Sequence, residues 1–530
     1  RTRWKTLTKS NPYFAIEWDA LDYLVSPNRE AGKALIARTI AALRRAELPD
    51  RQDACRVTGR IMVTGAIVYD WLYPLLTEDD KRAIIKELVR LAGTLECGYP
   101  PVRQGSITGH ASEAQIMRDL LSAGIAVYDE YPEMYRLAAT RLFREHIPAR
   151  NWFYPGHAYH QGDSYSCYRY GWDLFPLFIF SRWGIDDIYS AEQRWVPYHW
   201  IYATRPDGQR LRAGDTYCHS TPWGRPWPVG PGVLLAASYY HDGRLWSHFL
   251  KHQGLRDTEL IFAVLWTDLN LQPAPIDDLP LSRYFGSPFG WMIARTSWDD
   301  DAAICEMKLN EYNFCNHQHL DAGAFQLYYR GSLALDSGLY HGSDGGYGSD
   351  HCRNYQWRTI AHNCLLIYDP NEEFGRGYGN DGGQRLPNGR REPRDLSVLL
   401  DPANGYRTAD ILAHGFGPDP HAPDYTLLEG DLTPAYASHK AEHVLRSFVF
   451  LNLHRKHLPG VLIVSDHVAV KNSAYRPIWL LHSEEEPTLL LANERPAAIV
   501  DRTEHGATGR LILDVVRPKK ARLDKVGGPG

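Results

Sequence analysis

The sequence predicts an α+β multidomain fold: an N-terminal α/α toroid over residues 1–270, a linker over 271–283, and an antiparallel, sandwich-like β-sheet domain over 284–530. Three observations carry this. Apolar residues recur at helical spacing through the first half, and from about Phe285 the apolar period becomes two. Between the two regimes lies the proline-rich stretch "LNLQPAPIDDLPLSR", residues 269–283, which has the composition of a connector. A chain of 530 residues is also too long for one compact core.

The helices follow in order. "GKALIARTIAALRRAEL" (32–48) has one apolar stripe. "TEDDKRAIIKELVRLAGTLE" (77–96) opens on a threonine and acids, good chemistry for a helix N-terminus. "SEAQIMRDLLSAGIAVYDEYPEMYRLAATRLFREH" (112–146) reads as two helices broken near Tyr131 and Pro132. "GWDLFPLFIFSRWG", "GVLLAASYYHDGRLWSHFLKHQG" and "DTELIFAVLWTD" continue the pattern. Successive helices with short links are the ingredients of a toroid or solenoid.

The strands follow. "AAICEMKL", "GAFQLYYRG", "SLALDSG", "HNCLLIYD", "VLRSFVFLNL", "GVLIVSDHVAV", "RPIWLLHS" and "GRLILDVV" are strand-length runs bounded by turn residues. Without helices between them they imply stacked antiparallel sheets. The polar insertion at residues 369–395 reads as a mobile loop.

Bulk composition narrows the function. Net charge is −5, which argues against a general nucleic-acid coat but leaves room for a local basic cleft. No apolar run reaches about 18 residues, so no membrane insertion is expected. The eight cysteines are scattered without a CxxC pair, so free thiols are expected in place of a cysteine zinc site. The 16 Trp and 32 Tyr suit sugar stacking as well as large cores.

Ionisable residues concentrate in a few places. In "NHQHLDAGAFQLYYRGSLALDSGLYHG", residues 316–342, an extended backbone would project His317, His319 and Asp321 to one face. Asp336 follows about one strand later, and His362 precedes another apolar run. Two histidines and an aspartate from neighbouring strands would make a divalent-metal site; a single histidine beside a strand is usually only a surface or satisfied residue. In the helical half, "YPGHAYHQGDSYSCYRYGWD" (154–173) brings His157, His160, Asp163, Tyr165, Tyr168 and Arg169. "RLRAGDTYCH" (210–219) brings Arg212, Asp215 and Tyr217. "GHASEAQ" (109–115) sets His110, Ser112 and Glu113 at a helix start, where simple capping is the competing explanation.

Together "HQGDSY", "RLRAGDTY", "NHQHLDAGAFQLYYRG", "LALDSGLY" and "TIAHN" resemble the heparinase II/III-like polysaccharide lyases, in that family's order and across the helix-to-strand switch. The likeness runs from about residue 100 into the late strands and is nearest the broad glycosaminoglycan-cleaving branch. It implies an α/α toroid followed by antiparallel sheets. It also implies a secreted or periplasmic bacterial enzyme that cleaves an acidic polysaccharide by β-elimination. Glycosaminoglycans such as heparan sulfate, chondroitin sulfate and hyaluronan are the implied substrates, with alginate as a further one.

By the same resemblance Tyr217 is the catalytic tyrosine, His317 the partner base and His160 the histidine of the helical domain. Asp163 stands where the family can carry glutamate; a protonated carboxyl there would neutralise the uronate, and Asn316 would share that task. His110, Arg169, Arg212, Tyr340 and Tyr347 map to the substrate cleft. His319, Asp336 and His362 map to one divalent ion, zinc or manganese, in a structural role. Because His317 and His319 receive different tasks, a bend near Asn316 is required. Arg103, Arg353 and Arg358 are further cationic candidates, with ordinary ion pairs as their alternative. Two other classes stay in play: a toroidal glycoside hydrolase built on Asp163 and Asp215, and a non-catalytic glycan-binding protein. Oligomeric state is not legible.

Overall fold

In this computed structural model, the structure describes residues 12–47, 54–108, 112–216, 230–252, 260–340, 345–492 and 494–527. The helical half begins with Pro12–Val25, Arg29–Arg45, Ala54–Trp71 and Glu78–Ala92. Local chemistry sets their ends. Asn28 accepts from the Ala31 amide at 2.9 Å, and Arg44 and Arg45 complement the negative end of the same helix. Thr77 and Asp80 form a reciprocal capping box on the fourth helix, whose stripe of Ile84, Leu88 and Leu91 is buried.

The segment after it is helical over Ser112–Ala114, π-helical over Gln115–Leu120, and helical again over Leu121–Ala126. It breaks before Pro132, resumes as Glu133–Arg141, and continues through a π-helical turn into Ile147–Phe153. The long helix Gly162–Ser181 packs on Gly230–Tyr240, which in turn meets Gly243–Lys251 and Leu260–Trp266.

The strands are β1 Ser282–Phe285, β2 Trp291–Arg295, β3 Ile304–Lys308, β4 Phe325–Tyr328, β5 Ser332–Ala334, β6 Leu365–Tyr368 and β7 Asp410–Gly417. They continue as β8 Tyr425–Asp431, β9 Ala441–Asn452, β10 Gly460–Val470, β11 Arg476–Trp479, β12 Thr488–Ala492, β13 Arg495–Glu504 and β14 Ala507–Asp514. All pairings are antiparallel. The sheets are β1-β2-β3-β4-β5, β10-β9-β8-β7, β11-β6 and β12-β13-β14.

The first two sheets bury a common core of Met292, Ala294, Met307 and Phe325 with Leu428, Val444 and Phe448. The helical half covers the other face of the first sheet: Phe285, Trp291 and Ile293 share one core with Phe153, Tyr170 and Trp200. Covered on both faces, β2 and β3 are buried at every residue, whereas β9 alternates buried with half-buried positions. The shared core fixes how the two halves meet, and the ionisable motifs lie at that junction.

The insertion at 369–395, which its composition predicts to be a mobile loop, is hydrogen-bonded at several points. Gln384 Nε2 donates to the Ala322 carbonyl at 2.7 Å, Arg390 Nη2 to that of Asn316 at 2.8 Å, and Arg394 Nη1 to that of Val102 at 2.9 Å. These bonds tie it to both halves. Among the described residues Cys97, Cys305, Cys315, Cys352 and Cys364 are free thiols, and these and Cys167 are buried. No described helix is long and apolar enough to cross a membrane.

Candidate active site at the helix–sheet junction

Three motif segments are laced together through their backbones. The Asp163 amide donates to the Ala213 carbonyl at 2.5 Å, Ser164 to Asp215 at 3.2 Å, and Asp215 to His317 at 2.9 Å. Two glycines permit this approach. Gly162 of "HQGD" has φ +73° and Gly214 of "AGD" has φ +54°. A Cβ on Gly214 would run into the His317 carbonyl oxygen, and one on Gly162 into the Asp215 amide. The motif glycines are thus packing requirements of the site.

Asp215 stands at the centre, fully buried. Its Oδ2 meets His317 Nδ1 at 2.5 Å and accepts from the Tyr340 hydroxyl at 2.7 Å. Its Oδ1 meets His319 Nε2 at 2.9 Å and accepts from Gln356 Nε2 at 2.7 Å and Trp357 Nε1 at 3.2 Å. Burial alone would push this carboxyl up, but the hydrogen bonds and charge of His317 and His319 hold it well below the usual carboxylate range.

An ionised carboxylate only accepts, so both histidines donate to it. Their remaining nitrogens therefore carry lone pairs, and these point different ways. His317 Nε2 lies 3.3 Å from Arg169 Nη2, under the stacked ring of Tyr165 at 3.6 Å. His319 Nδ1 is buried with no hydrogen-bond partner.

The extended reading of this stretch is corrected in one respect. Residues 316–322 form no strand, and β4 starts only at Phe325. Cys315 (φ +58°) and Asn316 (φ +51°) are both left-handed and bend the chain. The two histidines consequently straddle one carboxylate instead of lining one strand face. Asp321 leaves the site altogether: it forms an ion pair with Lys308 and accepts from Asn310 Nδ2 at 2.6 Å.

His319, Asp336 and His362 are all buried, and one donor atom from each lies within 4.8 Å of the other two. His362 Nδ1 sits 2.9 Å from Asp336 Oδ1, yet neither ring nitrogen of His362 forms an aligned hydrogen bond. Asp336 Oδ2 is likewise unpartnered. Three buried residues that bring one donor atom each to a common point, with unpartnered polar atoms on all three, are costly unless a cation collects them. Two imidazoles and a carboxylate suit zinc or manganese, and the Asp215 bond to His319 would orient that histidine from the outer shell if an ion were bound. The donor set therefore fits the expected ion.

The other predicted residues are placed as follows. His160 is buried against Phe314, with Nε2 3.1 Å from the Ile107 carbonyl oxygen; burial and the charges of Arg150 and Arg169 push its ring well below the ordinary histidine range. Asp163 is a two-pronged partner of Arg210, a contact that spacing alone does not predict. Asn316 is buried and its Nδ2 donates to the Thr108 carbonyl at 3.1 Å. Arg212 bonds the Asp336 carbonyl at 3.1 Å and pairs with Glu484, so it joins the helical half to the sheet half.

Arg169 lies over the Tyr165 ring and bonds Gln161. Tyr340 is buried on Asp215, while Tyr347 is half-exposed with its ring 5.3 Å from that of His317. Arg353 pairs with Asp350, and Arg358 with Asp381. His110 and Tyr217 lie outside the described residues.

Sequence reading missed Gln356 and Trp357, and missed that Asp215 is the hub. Gln356 and Trp357 carry no motif signal, because a neutral amide and an indole in "NYQWRT" look like any turn. Asp215 was visible beside Tyr217, but its partners come from residues more than a hundred positions away.

Residues 289–417 match the family described as heparinase II/III-like, C-terminal, and the sheet half thus carries a domain of that class. Among solved structures, the heparan sulfate lyase HepC from Pedobacter heparinus aligns over 97% of this chain and 73% of its own, at 14% identity and a TM-score of 0.54. A structure of heparinase III aligns over 94% of this chain and 72% of its own, at 11% identity and a TM-score of 0.48. At such identity the likeness to HepC is one of fold: helices first, antiparallel sheets after. No curated protein matches the chain by sequence.

Proposed function

We propose that the protein is a polysaccharide lyase that cleaves uronic-acid-containing polysaccharides by β-elimination. The observation that carries this reading is His317. Its Nδ1–H is held by Asp215, so its Nε2 lone pair faces Arg169 among tyrosines where the helical and sheet halves meet. A C5 proton beside a uronate carboxylate is weakly acidic, and a nearby cation stabilises the charge that develops on its removal. Arg169 supplies that cation. His317 Nε2 takes the C5 proton, the C4–O4 bond breaks as the C4–C5 double bond forms, and the departing O4 takes a proton from a tyrosine. The resulting imidazolium is stabilised by Asp215. Tyr217 is the proton donor by its motif, and Tyr340 and Tyr347 belong to the same cleft.

A zinc or manganese ion held by His319, Asp336 and His362 would add rigid placement of the sheet side of the site. The residues of the chain itself carry every proton transfer above.

The substrate class is an acidic polysaccharide: heparan sulfate, chondroitin sulfate, hyaluronan or, beyond the glycosaminoglycans, alginate. Such substrates place the protein in the periplasm or outside the cell. Incubation with each of the four, followed by ultraviolet absorbance and product sizing, tests the reading. An unsaturated uronate end from at least one is the expected result, and none from any would refute it. A hydrolase on Asp163 and Asp215 is disfavoured, since Arg210 and five donors respectively occupy those carboxylates. A purely glycan-binding protein would keep full function in Tyr217→Phe; the lyase reading predicts a large loss of turnover with the fold preserved.

A further inference from the structure

Arg390 has no role in the site as built so far, yet the chain goes to some length to place it. It closes the short helical turn Pro387–Arg390, and Asn388, Gly389 and Arg390 all have positive φ, at 43°, 60° and 59°. Left-handed backbone costs on the order of 1 kcal/mol or more at each residue that is not glycine, and it persists only where surroundings impose it. Here they do. Arg390 Nη2 donates to the carbonyl oxygens of Asn316 at 2.8 Å and Gln318 at 3.1 Å, the two residues that flank His317. The guanidinium lies over the Trp357 ring, 4.3 Å from its centroid, and Trp357 in turn donates to Asp215.

The other terminal nitrogen, Nη1, is buried and meets no protein acceptor. A charged donor left without a partner is expensive, and a guanidinium stacked on an aromatic face is pre-set for an oxyanion. Tyr347 edges onto the same Trp357 ring at 5.1 Å and onto His317 at 5.3 Å, so this cation belongs to the neighbourhood of the proposed base. Other arginines near the motifs are engaged by protein carboxylates: Arg212 by Glu484, Arg353 by Asp350, Arg358 by Asp381.

We propose that Arg390 is a substrate-recognising residue, the receptor on the sheet side for an oxyanion, carboxylate or sulfate, of the glycan unit next to the scissile bond. Arg169 then serves the reacting unit from the helical side, and the two cations bracket His317. This rests on the acidic-glycan reading above, and the experiment separates the two. Isothermal titration needs no turnover, so it uses parent and Arg390→Gln protein with two probes that are already products of lyase chemistry: an unsulfated unsaturated uronate disaccharide and its sulfated counterpart.

The expected result is a roughly tenfold or greater weakening in Arg390→Gln, as befits loss of one charge-assisted bond, with partial recovery in Arg390→Lys. Weakening for both probes identifies the carboxylate as the anion bound; weakening for the sulfated probe alone identifies the sulfate. Circular dichroism and the melting temperature report the fold. Equal binding of both probes by parent and Arg390→Gln would overturn the proposal, leaving Arg390 a brace for the 316–318 backbone. So would a parent that binds neither probe. Binding that depends on Arg390 in a protein that cleaves none of the four polysaccharides would retain the receptor and remove the lyase reading.

Discussion

At Asp215 one buried carboxylate receives five donors from three segments of chain, and this fixes the tautomer of both histidines. The chemistry of His317 depends on that bond. Asp215→Asn replaces an obligate acceptor with a group that can present its amide, so Nε2 is no longer guaranteed the lone pair. Turnover should fall about 10²–10⁴-fold with KM changed far less, as read by steady-state kinetics on whichever polysaccharide proves to be cleaved. Equal loss in KM and kcat would point to substrate binding instead. The sequence displayed Asp215 next to Tyr217, and displayed both histidines. It could not show that the three meet, because hydrogen bonds across the fold leave no trace in local spacing.

Among the elements, the three motif loops matter more than the strands that carry them. Gly214 has a left-handed φ and no room for a side chain against His317. Gly214→Ala should lower stability by on the order of 3 kcal/mol and remove activity with it, as measured by urea unfolding. A neutral outcome would mean that the close approach of these loops is not required.

A different element-level device holds the outer helices. Glu130 accepts from Tyr69 and Tyr73 at 2.8 and 2.7 Å and pairs with Lys81 at 2.7 Å. Burial pushes this carboxyl up, but the bonds from Lys81, Tyr73 and Tyr69 outweigh it and hold it below the ordinary glutamate range. A depressed folded value means the stabilisation is complete above the unfolded pKa and is lost as pH falls through the folded one. Glu130→Gln should therefore cost on the order of 1–2 kcal/mol at neutral pH. The deficit should close as pH falls below about 4. A deficit independent of pH across that range would reject the ionic explanation.

For the whole molecule, the shared core through Trp291 and Trp200 holds the helical and sheet halves in one arrangement, and the proposed metal would stiffen the sheet side of their junction. His319→Ala should lose bound zinc or manganese and lower the melting temperature by on the order of 5 °C. Chelator-treated parent should show the metal-dependent part of that shift. Elemental analysis finding equal metal in mutant and parent would reject the site.

The sequence by itself determined the order of helices then strands and the family likeness, because periodicity and motif order are local properties of the chain. It also marked His317, His319, Asp336 and His362 as one region of interest. Tertiary structure alone decided that His317 and His319 grip opposite oxygens of Asp215, that Asp163 belongs to Arg210, and that the polar insertion returns to deliver Arg390. Those outcomes depend on left-handed turns at Cys315, Asn316 and Arg390 and on close approaches at Gly162 and Gly214. Such conformations are imposed by distant neighbours rather than by the residues that adopt them.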